Sequence, residues 1–313
     1  MDITSIILSL SVMAIIIVIG VFLEMRFTIG DEAKRVLIMI IVNVSLPCII
    51  LNGVFKTEKS DELLFYMFIV FFCSVFINLF GLLLGYFAGK CARLGTARAK
   101  QVAILSALGN TGFIGIPLCA MLFGPTGGLL ASVFDAGGII TAFTVGVLLL
   151  QHGKQFQLSQ LKNAINAPVI AIILSIILIV FKLQPPTVII ETTGRLAGLA
   201  APLSMLYVGF LIPKIYKVKH ASKFFIATSV SIFLKLLLIP FIVILVMTLF
   251  KISWEVKQVI IILSTMPTFM LASVLFEKYI KGENIAVSIT IYATLLSLIT
   301  IPFMSWIASL IYV

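Results

Sequence analysis

The polar residues best suited to binding a small molecule are concentrated in one short stretch, from Asn110 to Pro117. Asn110 and Thr111 supply an amide and a hydroxyl. Gly112 and Pro117 weaken the helix around them, because glycine costs about 1 kcal/mol relative to alanine in a helix interior and proline donates no backbone N–H. A helix broken here presents N–H groups and a partial positive charge to a ligand. The stretch therefore predicts a site for a small anion.

Similar interruptions recur at a fixed spacing along the chain. Thr265 follows Asn110 by 155 residues, and Pro202 follows Pro47 by the same number. Irregular backbone at membrane depth persists only where protein or a water-filled cavity satisfies its polar groups. The further candidates for substrate binding are therefore Thr265, Pro267, Asn43, Pro47 and Pro202.

Two ionisable residues, Asp135 and Lys235, lie within long apolar runs. A charge at the centre of a membrane-spanning helix costs about 2.5–3.5 kcal/mol on insertion scales, so such residues are rare. One interpretation makes Asp135 a coupling site for H⁺ or Na⁺ and Lys235 a charge that holds the anion or its counter-ion. The other pairs them with each other, or with backbone groups, as structural charges.

The composition excludes a soluble enzyme. Of the 313 residues 61% are hydrophobic and 11% are charged, and the mean hydropathy is +1.24, which is typical of a polytopic membrane protein. The sequence contains no phosphate-binding loop, no metalloprotease motif and no nucleophile elbow, so we expect neither an enzyme nor an ATP-driven pump, and no cofactor. The net charge of +10 comes from basic residues spread over short loops, which argues against nucleic-acid binding.

Hydropathy predicts ten membrane-spanning helices, since each needs about 20 mostly apolar residues. The predicted spans are residues 3–23, 33–54, 63–89, 101–123, 127–151, 164–181, 194–213, 224–250, 258–276 and 285–311. Fifteen of the 22 Lys and Arg residues fall in the odd connections and six in the even ones. This bias places the odd connections in the cytoplasm and both termini outside, in a protein of the cytoplasmic membrane.

The repeated breaks divide the chain into two halves. Residues 1–151 form a first five-helix repeat, residues 152–163 a short cytoplasmic linker, and residues 164–313 a second repeat. Because five is an odd number, the second repeat must enter the membrane from the opposite side. Inverted repeats of this kind are common in secondary transporters.

The stretch Gly109–Pro117 resembles the fourth-helix motif of the auxin efflux carrier family. Similar landmarks of that family are residues 43–47, 201–205, 235–240, 265–267 and 288–302. The resemblance covers nearly the whole chain and, since the connection Gln151–Asn163 is short, points to the compact prokaryotic branch. It implies an all-α membrane protein of ten helices in two inverted repeats, with proline-broken helices 4 and 9 crossing. It also implies an elevator-type motion, similar to bile-acid symporters and sodium/proton antiporters.

The leading hypothesis is a secondary active transporter of a small organic anion, a mono- or dicarboxylate. A homodimer in the lipid bilayer is compatible with it. One alternative is a sodium-coupled symporter or a cation/proton antiporter of similar fold. Such antiporters usually need buried carboxylates near the crossing, and Asp135 is the one candidate in the sequence. Another alternative, an intramembrane enzyme or a sensor, is not favoured, because no paired carboxylates, His/Cys cluster or Ser/Lys dyad is visible.

Overall fold

The structure, a computed structural model, describes residues 3–27, 29–151, 165–213, 222–270, 272–279 and 285–312. Throughout these residues the regular structure is helical, and the chain forms one isolated antiparallel bridge, between Gly109 and Thr268. The helices are α1 (Ile3–Phe27), α2 (Asp31–Ile40), α3 (Leu46–Lys56), α4 (Asp61–Cys91), α5 (Thr96–Ala107), α6 (Ile116–Thr141), α7 (Val147–Leu150), α8 (Ala167–Val180), α9 (Thr187–Ala197), α10 (Ala200–Leu211), α11 (Ser222–Phe233), α12 (Ile239–Met247), α13 (Trp254–Ser264), α14 (Ala272–Tyr279) and α15 (Ile285–Ile311). Four π-helical turns, Ile41–Ser45, Thr111–Gly115, Ala142–Gly146 and Leu234–Leu238, extend these helices.

Helix α1 shows why the molecule belongs in a bilayer. Its inner face buries Leu10 and Ile17, while Leu8, Ile15 and Phe22 on the opposite side are 60–65% exposed. A helix at the surface of a soluble protein would carry polar residues on that outer face. Large aliphatic and aromatic side chains there are instead the expected contacts of lipid tails.

Among the residues that the structure describes, seven helical stretches are long and apolar enough to cross a membrane. They are Thr4–Phe27, Asp31–Lys56, Asp61–Cys91, Thr111–Leu150, Thr187–Leu211, Phe225–Met247 and Ala286–Ile311. The sequence predicts ten, and much of the difference comes from where the chain bends or breaks. Helices α5, α8 and α13 have 11 to 14 residues, below the roughly 20 that a straight span needs.

The 40-residue stretch Thr111–Leu150 is folded back on itself at Gly124. Gly124 has a φ of 67°, a left-handed conformation that glycine adopts without steric cost, and Pro125 follows it. A Cβ on Gly127 would stand 2.6 Å from the carbonyl oxygen of Cys119. In a continuous helix residues eight apart are separated by about 12 Å, so the two segments lie side by side. The sequence-based division of this region at residues 124–126 agrees with this turn.

Helix α5 is held against α4 by a stripe of small residues. Gly81, Gly85 and Gly89 of α4 face Ala107, Ala103 and Ala99 of α5, and a Cβ on each glycine would stand 2.8 Å from the Cα of the facing alanine. Small residues at every fourth position let two membrane helices approach closely. The close contact fixes where α5 ends, and hence where the first interrupted stretch lies.

Most of the predicted spans begin and end within a few residues of the observed helices. The seventh span is the exception. Its helix begins at Thr187, seven residues before the predicted start at residue 194. Polar residues in the part of α9 before residue 194, among them Glu191 and Thr192, hide the start of the helix from a hydropathy profile. The predicted linker, residues 152–163, lies entirely outside the described residues.

Candidate functional site

Two interrupted helices meet in the interior of the molecule. Helix α5 ends at Ala107 and α13 ends at Ser264, and the extended residues that follow each helix run antiparallel. The Asn110 N–H donates to the Pro267 carbonyl at 2.6 Å, and the Phe269 N–H donates to the Leu108 carbonyl at 2.9 Å. We call residues 108–110 and 266–269 the junction. Its two hydrogen bonds satisfy backbone groups that would otherwise be unpaired in the membrane.

Asn110 begins the helical segment that leaves the junction. Its Oδ1 accepts a hydrogen bond from the Phe113 N–H at 3.4 Å, so the side chain caps the segment. Its Nδ2 is buried and has no hydrogen-bond partner among the described residues, and the residue as a whole is 2% exposed. An unsatisfied buried donor costs about 1–3 kcal/mol. Asn110 therefore has a donor available for a ligand at the place that the sequence indicates.

Asp135 lies beside the first turn of the same segment. The Thr111 hydroxyl donates to its Oδ1, and both carboxylate oxygens stand 3.5 Å from where a Cβ on Gly112 would lie. A carboxylate at a helix N-terminus interacts favourably with the partial positive charge there. The sequence assigns the Thr111 hydroxyl and this helix end to an anionic substrate. In the structure both already contact the carboxylate of Asp135.

Lys235 occupies the complementary position at the end of α5. It is 2% exposed, and its Nζ donates to the Ala107 carbonyl at 3.0 Å. The last carbonyls of a helix lack intrahelical partners, and a cation there is favoured by the helix dipole. The π-helical turn Leu234–Leu238 contains this lysine and directly precedes Ile239–Pro240.

Asp135 and Lys235 line one small cavity, together with Asn78, Thr111 and Ser264. The cavity has a volume of about 10 Å³, which is enough for about one water molecule. The two charges do not form an ion pair with each other, in contrast to Lys34 and Glu24, whose Nζ and Oε1 atoms are 2.6 Å apart. The cavity can hold a water molecule or a small ion, but it is too small for an organic anion.

Ser74 of α4 binds the backbone beside Asp135, and Asn78 binds Ser74 within α4. The Ser74 hydroxyl donates to the Phe134 carbonyl at 2.5 Å, and the Asn78 Nδ2 donates to the Ser74 carbonyl at 2.7 Å. Gly137 permits this contact, since a Cβ there would stand 2.9 Å from the Phe71 carbonyl. Ser74 was not singled out from the sequence, although its spacing of four residues from Asn78 places both on one helix face.

The second interrupted stretch contributes backbone more than side chains. The Thr265 hydroxyl donates to the Ile262 carbonyl of its own helix at 2.6 Å, and Pro267 supplies the carbonyl that pairs with Asn110. Thr268 reaches across the junction to the Leu105 carbonyl at 3.1 Å. Thr268 follows the proline directly, yet the sequence alone did not mark it as a site residue.

The remaining candidates lie away from the junction hydrogen bonds. Asn43 is exposed and donates to the Met39 carbonyl of its own helix at 3.1 Å. Pro47 follows the π-helical turn that contains Asn43, and Pro202 is exposed near the start of α10. By contrast, Pro117 is buried in the segment that Asn110 caps.

Two larger cavities lie between the helices. One, of about 240 Å³, is bounded by α3, α6 and α9 and includes Pro117 in its wall. The other, of about 1090 Å³, is lined by Glu58, Glu62 and Glu255 with Trp254. Like charges repel an approaching anion, so the acidic cavity is the less suitable of the two for a carboxylate. We call the smaller one the α3–α9 cavity.

Comparison with known proteins identifies a family and two relatives that match nearly the whole chain. The profile of a family described as membrane transport protein matches residues 5–305. An uncharacterized transporter of Methanocaldococcus jannaschii is 28% identical over 309 residues, covering 95% of this chain and 96% of the relative. An uncharacterized transporter of Methanothermobacter thermautotrophicus is 27% identical over 296 residues, covering 93% and 94% of the two chains.

Proposed function

This chain belongs to the membrane transport protein family, of the auxin efflux carrier type, and from that premise we propose that it is a secondary active transporter of a small organic anion. The family and both archaeal relatives are transporters, so the protein is not an enzyme. The substrate in this proposal is a mono- or dicarboxylate that crosses the cytoplasmic membrane. The observation that carries it is the buried, unpartnered Nδ2 of Asn110 beside a helix N-terminus at the junction.

The proposal includes a ten-helix arrangement in two inverted repeats, with elevator-type alternating access. Its support is the 155-residue spacing between Asn110 and Thr265 and between Pro47 and Pro202, together with the pairing of the two interrupted stretches. Ten crossings require that the turn at Gly124 separates two of them and that the short helices α5, α8 and α13 each belong to a crossing. Both termini would then face outside.

A second candidate function, cation-coupled transport, is favoured by one observation. Asp135 is 7% exposed and bonded to Thr111 next to the junction, which is where an antiporter or a sodium-coupled symporter holds its carboxylate. The sequence places no carboxylate in the interrupted stretches themselves, but the fold brings one to them. In this reading H⁺ or Na⁺ binds at Asp135 and drives movement of the substrate.

The role of Asn110 can be tested with two substitutions of different chemistry. Asn110→Ala removes both the cap and the donor, whereas Asn110→Asp keeps the oxygen that caps Phe113 and replaces the donor with a charge that repels an anion. We expect both variants to insert and fold but to lose uptake of labelled carboxylates into proteoliposomes. Wild-type uptake by either variant would remove Asn110 from the binding site.

A further inference from the structure

The C-terminal end of α5 is a place where an interrupted membrane helix can bind a cation. Transporters with interrupted helices hold Na⁺ against the C-terminal ends of half-helices, because the last carbonyls there lack partners and the helix dipole favours positive charge. Helix α5 ends at the buried Ala107, whose carbonyl accepts a hydrogen bond from the ammonium group of Lys235 at 3.0 Å. The position therefore already contains a cation, and this cation belongs to the chain itself.

The interruption leaves room for this ammonium group. A Cβ on Gly109 would stand 3.0 Å from the Lys235 Nζ and 3.3 Å from its Cε, so a larger residue would push the end of the lysine away. Lys235 is 2% exposed, and it is the one basic residue among the described residues that line the cavity it shares with Asp135. The ammonium group is thus enclosed at the end of α5 and does not reach solvent.

The other polar residues of this cavity offer oxygen atoms, beginning with the carboxylate of Asp135. The Thr111 hydroxyl donates its hydrogen to Asp135 and the Ser264 hydroxyl donates to a carbonyl of α13, so each hydroxyl oxygen keeps lone pairs. Asn78 donates from its amide nitrogen to a carbonyl of α4, which leaves its Oδ1 as an acceptor. All four residues are more than nine-tenths buried, and oxygen is the ligand that hard cations prefer. Apart from the lysine, the cavity has the ligands of a small-cation site.

The balance of charge decides whether a metal cation can share the cavity with the lysine. Asp135 carries one negative charge and Lys235 one positive charge, so the cavity is neutral as it stands. Its volume of about 10 Å³ would hold a Na⁺ ion within a few ångströms of the ammonium group, where like charges repel each other strongly. The helix N-terminus at Thr111 adds further positive potential. The lysine therefore excludes Na⁺ by charge, although the ion would fit by size.

We propose that Lys235 is a tethered cation, whose ammonium group occupies a latent Na⁺ site at the end of α5 and keeps Na⁺ out of the wild-type protein. The inference rests on the second candidate function, cation-coupled transport, and it leaves H⁺ as the ion that acts at Asp135. Lys235 thus determines ion selectivity and does not bind the substrate. Removal of its charge, with Asp135 intact, converts the cavity into a Na⁺ site.

The test measures Na⁺ binding without transport, through thermal unfolding of the purified protein in detergent. Na⁺ is titrated against choline at constant ionic strength, since an ion that binds only the folded state raises the unfolding temperature. We expect a saturable shift for Lys235→Gln and at least about 100-fold weaker Na⁺ binding, seen as no shift, for the wild type. A saturable shift of the wild type, or a Lys235→Gln protein that is indifferent to Na⁺, would overturn the proposal.

Three further variants locate the ion. Lys235→Arg keeps the positive charge and should not respond to Na⁺. Lys235→Gln combined with Asp135→Asn should lose the response, because no carboxylate remains to balance the ion. Lys251→Gln is the matched control, since Lys251 is an exposed lysine outside the cavity, and it should behave as the wild type does. A Na⁺ response in any of these three proteins would place the ion elsewhere and refute the assignment.

Poor folding of the neutral variants also gives an answer. Lys235→Gln retains an amide that can donate to the Ala107 carbonyl, and Na⁺ should replace the missing charge. A variant that is recovered folded in Na⁺ but not in choline supports the proposal. If neither Lys235→Gln nor Lys235→Met folds in either salt, Na⁺ does not replace the ammonium group and the proposal is wrong.

Ion binding and transport can fail separately. If the wild type ignores Na⁺ and Lys235→Gln binds it, this inference stands even when no carboxylate enters proteoliposomes, a result that would refute the transport function. Carboxylate uptake by the wild type that an imposed Na⁺ gradient drives would keep the transport function and refute this inference.

Discussion

At the scale of single residues, the two buried charges are explained by the helix ends that they contact. Asp135 stands at the N-terminal end of the segment that begins at Thr111, and Lys235 binds the last turn of α5 at Ala107. Each charge has the sign that the adjacent helix dipole favours. One acidic and one basic group thus flank the junction, and they bind different helix ends and not each other.

This arrangement predicts that the two charges depend on each other for stability. Lys235→Met leaves the Ala107 carbonyl unpaired and Asp135 as the remaining charge at the small cavity, so we expect a loss of about 2 kcal/mol in unfolding free energy. The double variant with Asp135→Asn should be more stable than the sum of the single losses predicts. Thermal unfolding of the four proteins in detergent measures this coupling. If Lys235 served only the substrate, Lys235→Met would unfold at the wild-type temperature.

A further prediction at this scale concerns coupling through Asp135. Asp135→Asn keeps the shape of the side chain and an oxygen for the Thr111 hydroxyl, but it cannot take up or release a proton. We expect the variant to lose accumulation of substrate against a gradient while retaining exchange of substrate for substrate in proteoliposomes. Accumulation at the wild-type level would make Asp135 a structural charge.

Part of this site could be read from the sequence. The proline and glycine content of residues 109–117 marks the interruption, and the apolar surroundings of Asp135 and Lys235 mark them as unusual. The distances between them could not be read, because they depend on how α6 and the turn Leu234–Leu238 pack around α5. The partners of Lys235 and Thr268 are backbone carbonyls, which no residue type reveals.

At the scale of elements, prolines act through the turns that precede them. Each of Pro47, Pro117 and Pro240 is the second residue of an α-helix that follows a five-residue π-helical turn. The residue before each of these prolines donates its N–H to the carbonyl five positions back. The sequence predicts a break at Pro47 and at Pro117, since proline leaves a carbonyl without its partner. It does not predict that a wider turn keeps the helix continuous.

The stripe that joins α4 to α5 predicts the outcome of a matched pair of substitutions. Gly85→Ala places a methyl group 2.8 Å from the Cα of Ala103, and backbone cannot move away easily, so we expect a loss of about 1–3 kcal/mol. Gly138→Ala, also within a helix, meets its nearest neighbour at 3.6 Å and should be neutral or gain up to about 1 kcal/mol. Unfolding temperatures of the two purified variants check the opposite signs. A stable Gly85→Ala protein would contradict the close packing of these helices.

At the scale of the whole molecule, the sequence shows that this is a membrane protein more firmly than it shows how many times the chain crosses the membrane. Composition alone gives the class, because 61% hydrophobic residues cannot be buried inside a soluble chain of this length. The number of crossings depends on bends such as the one at Gly124, which the turn residues 124–126 mark in the sequence but which a count of long apolar helices passes over. The polar residues of α9 make its span harder to delimit, so the predicted start is seven residues late.

The orientation in the membrane can be tested across α4. This helix has 31 residues, about 46 Å at 1.5 Å per residue, and therefore separates its two ends by more than the roughly 30 Å hydrocarbon core. The exposed residues Glu58 and Thr96 lie beyond its opposite ends. In a protein without its native cysteines, we expect Glu58→Cys to react with an impermeant thiol reagent in intact cells and Thr96→Cys to be protected. Labelling of Thr96→Cys with protection of Glu58→Cys would invert the topology.

The junction also constrains how the protein is made. The Leu108 carbonyl and the Asn110 N–H find their partners in residues 267–269, which are synthesised about 160 residues later. At about 5–20 residues per second, the ribosome needs on the order of ten to thirty seconds to reach them. During that interval the first interrupted helix must hold unpaired polar backbone within the bilayer or wait at its surface. Co-translational insertion therefore ends with a joining step, in which the last helices to emerge complete a site that the first helices began.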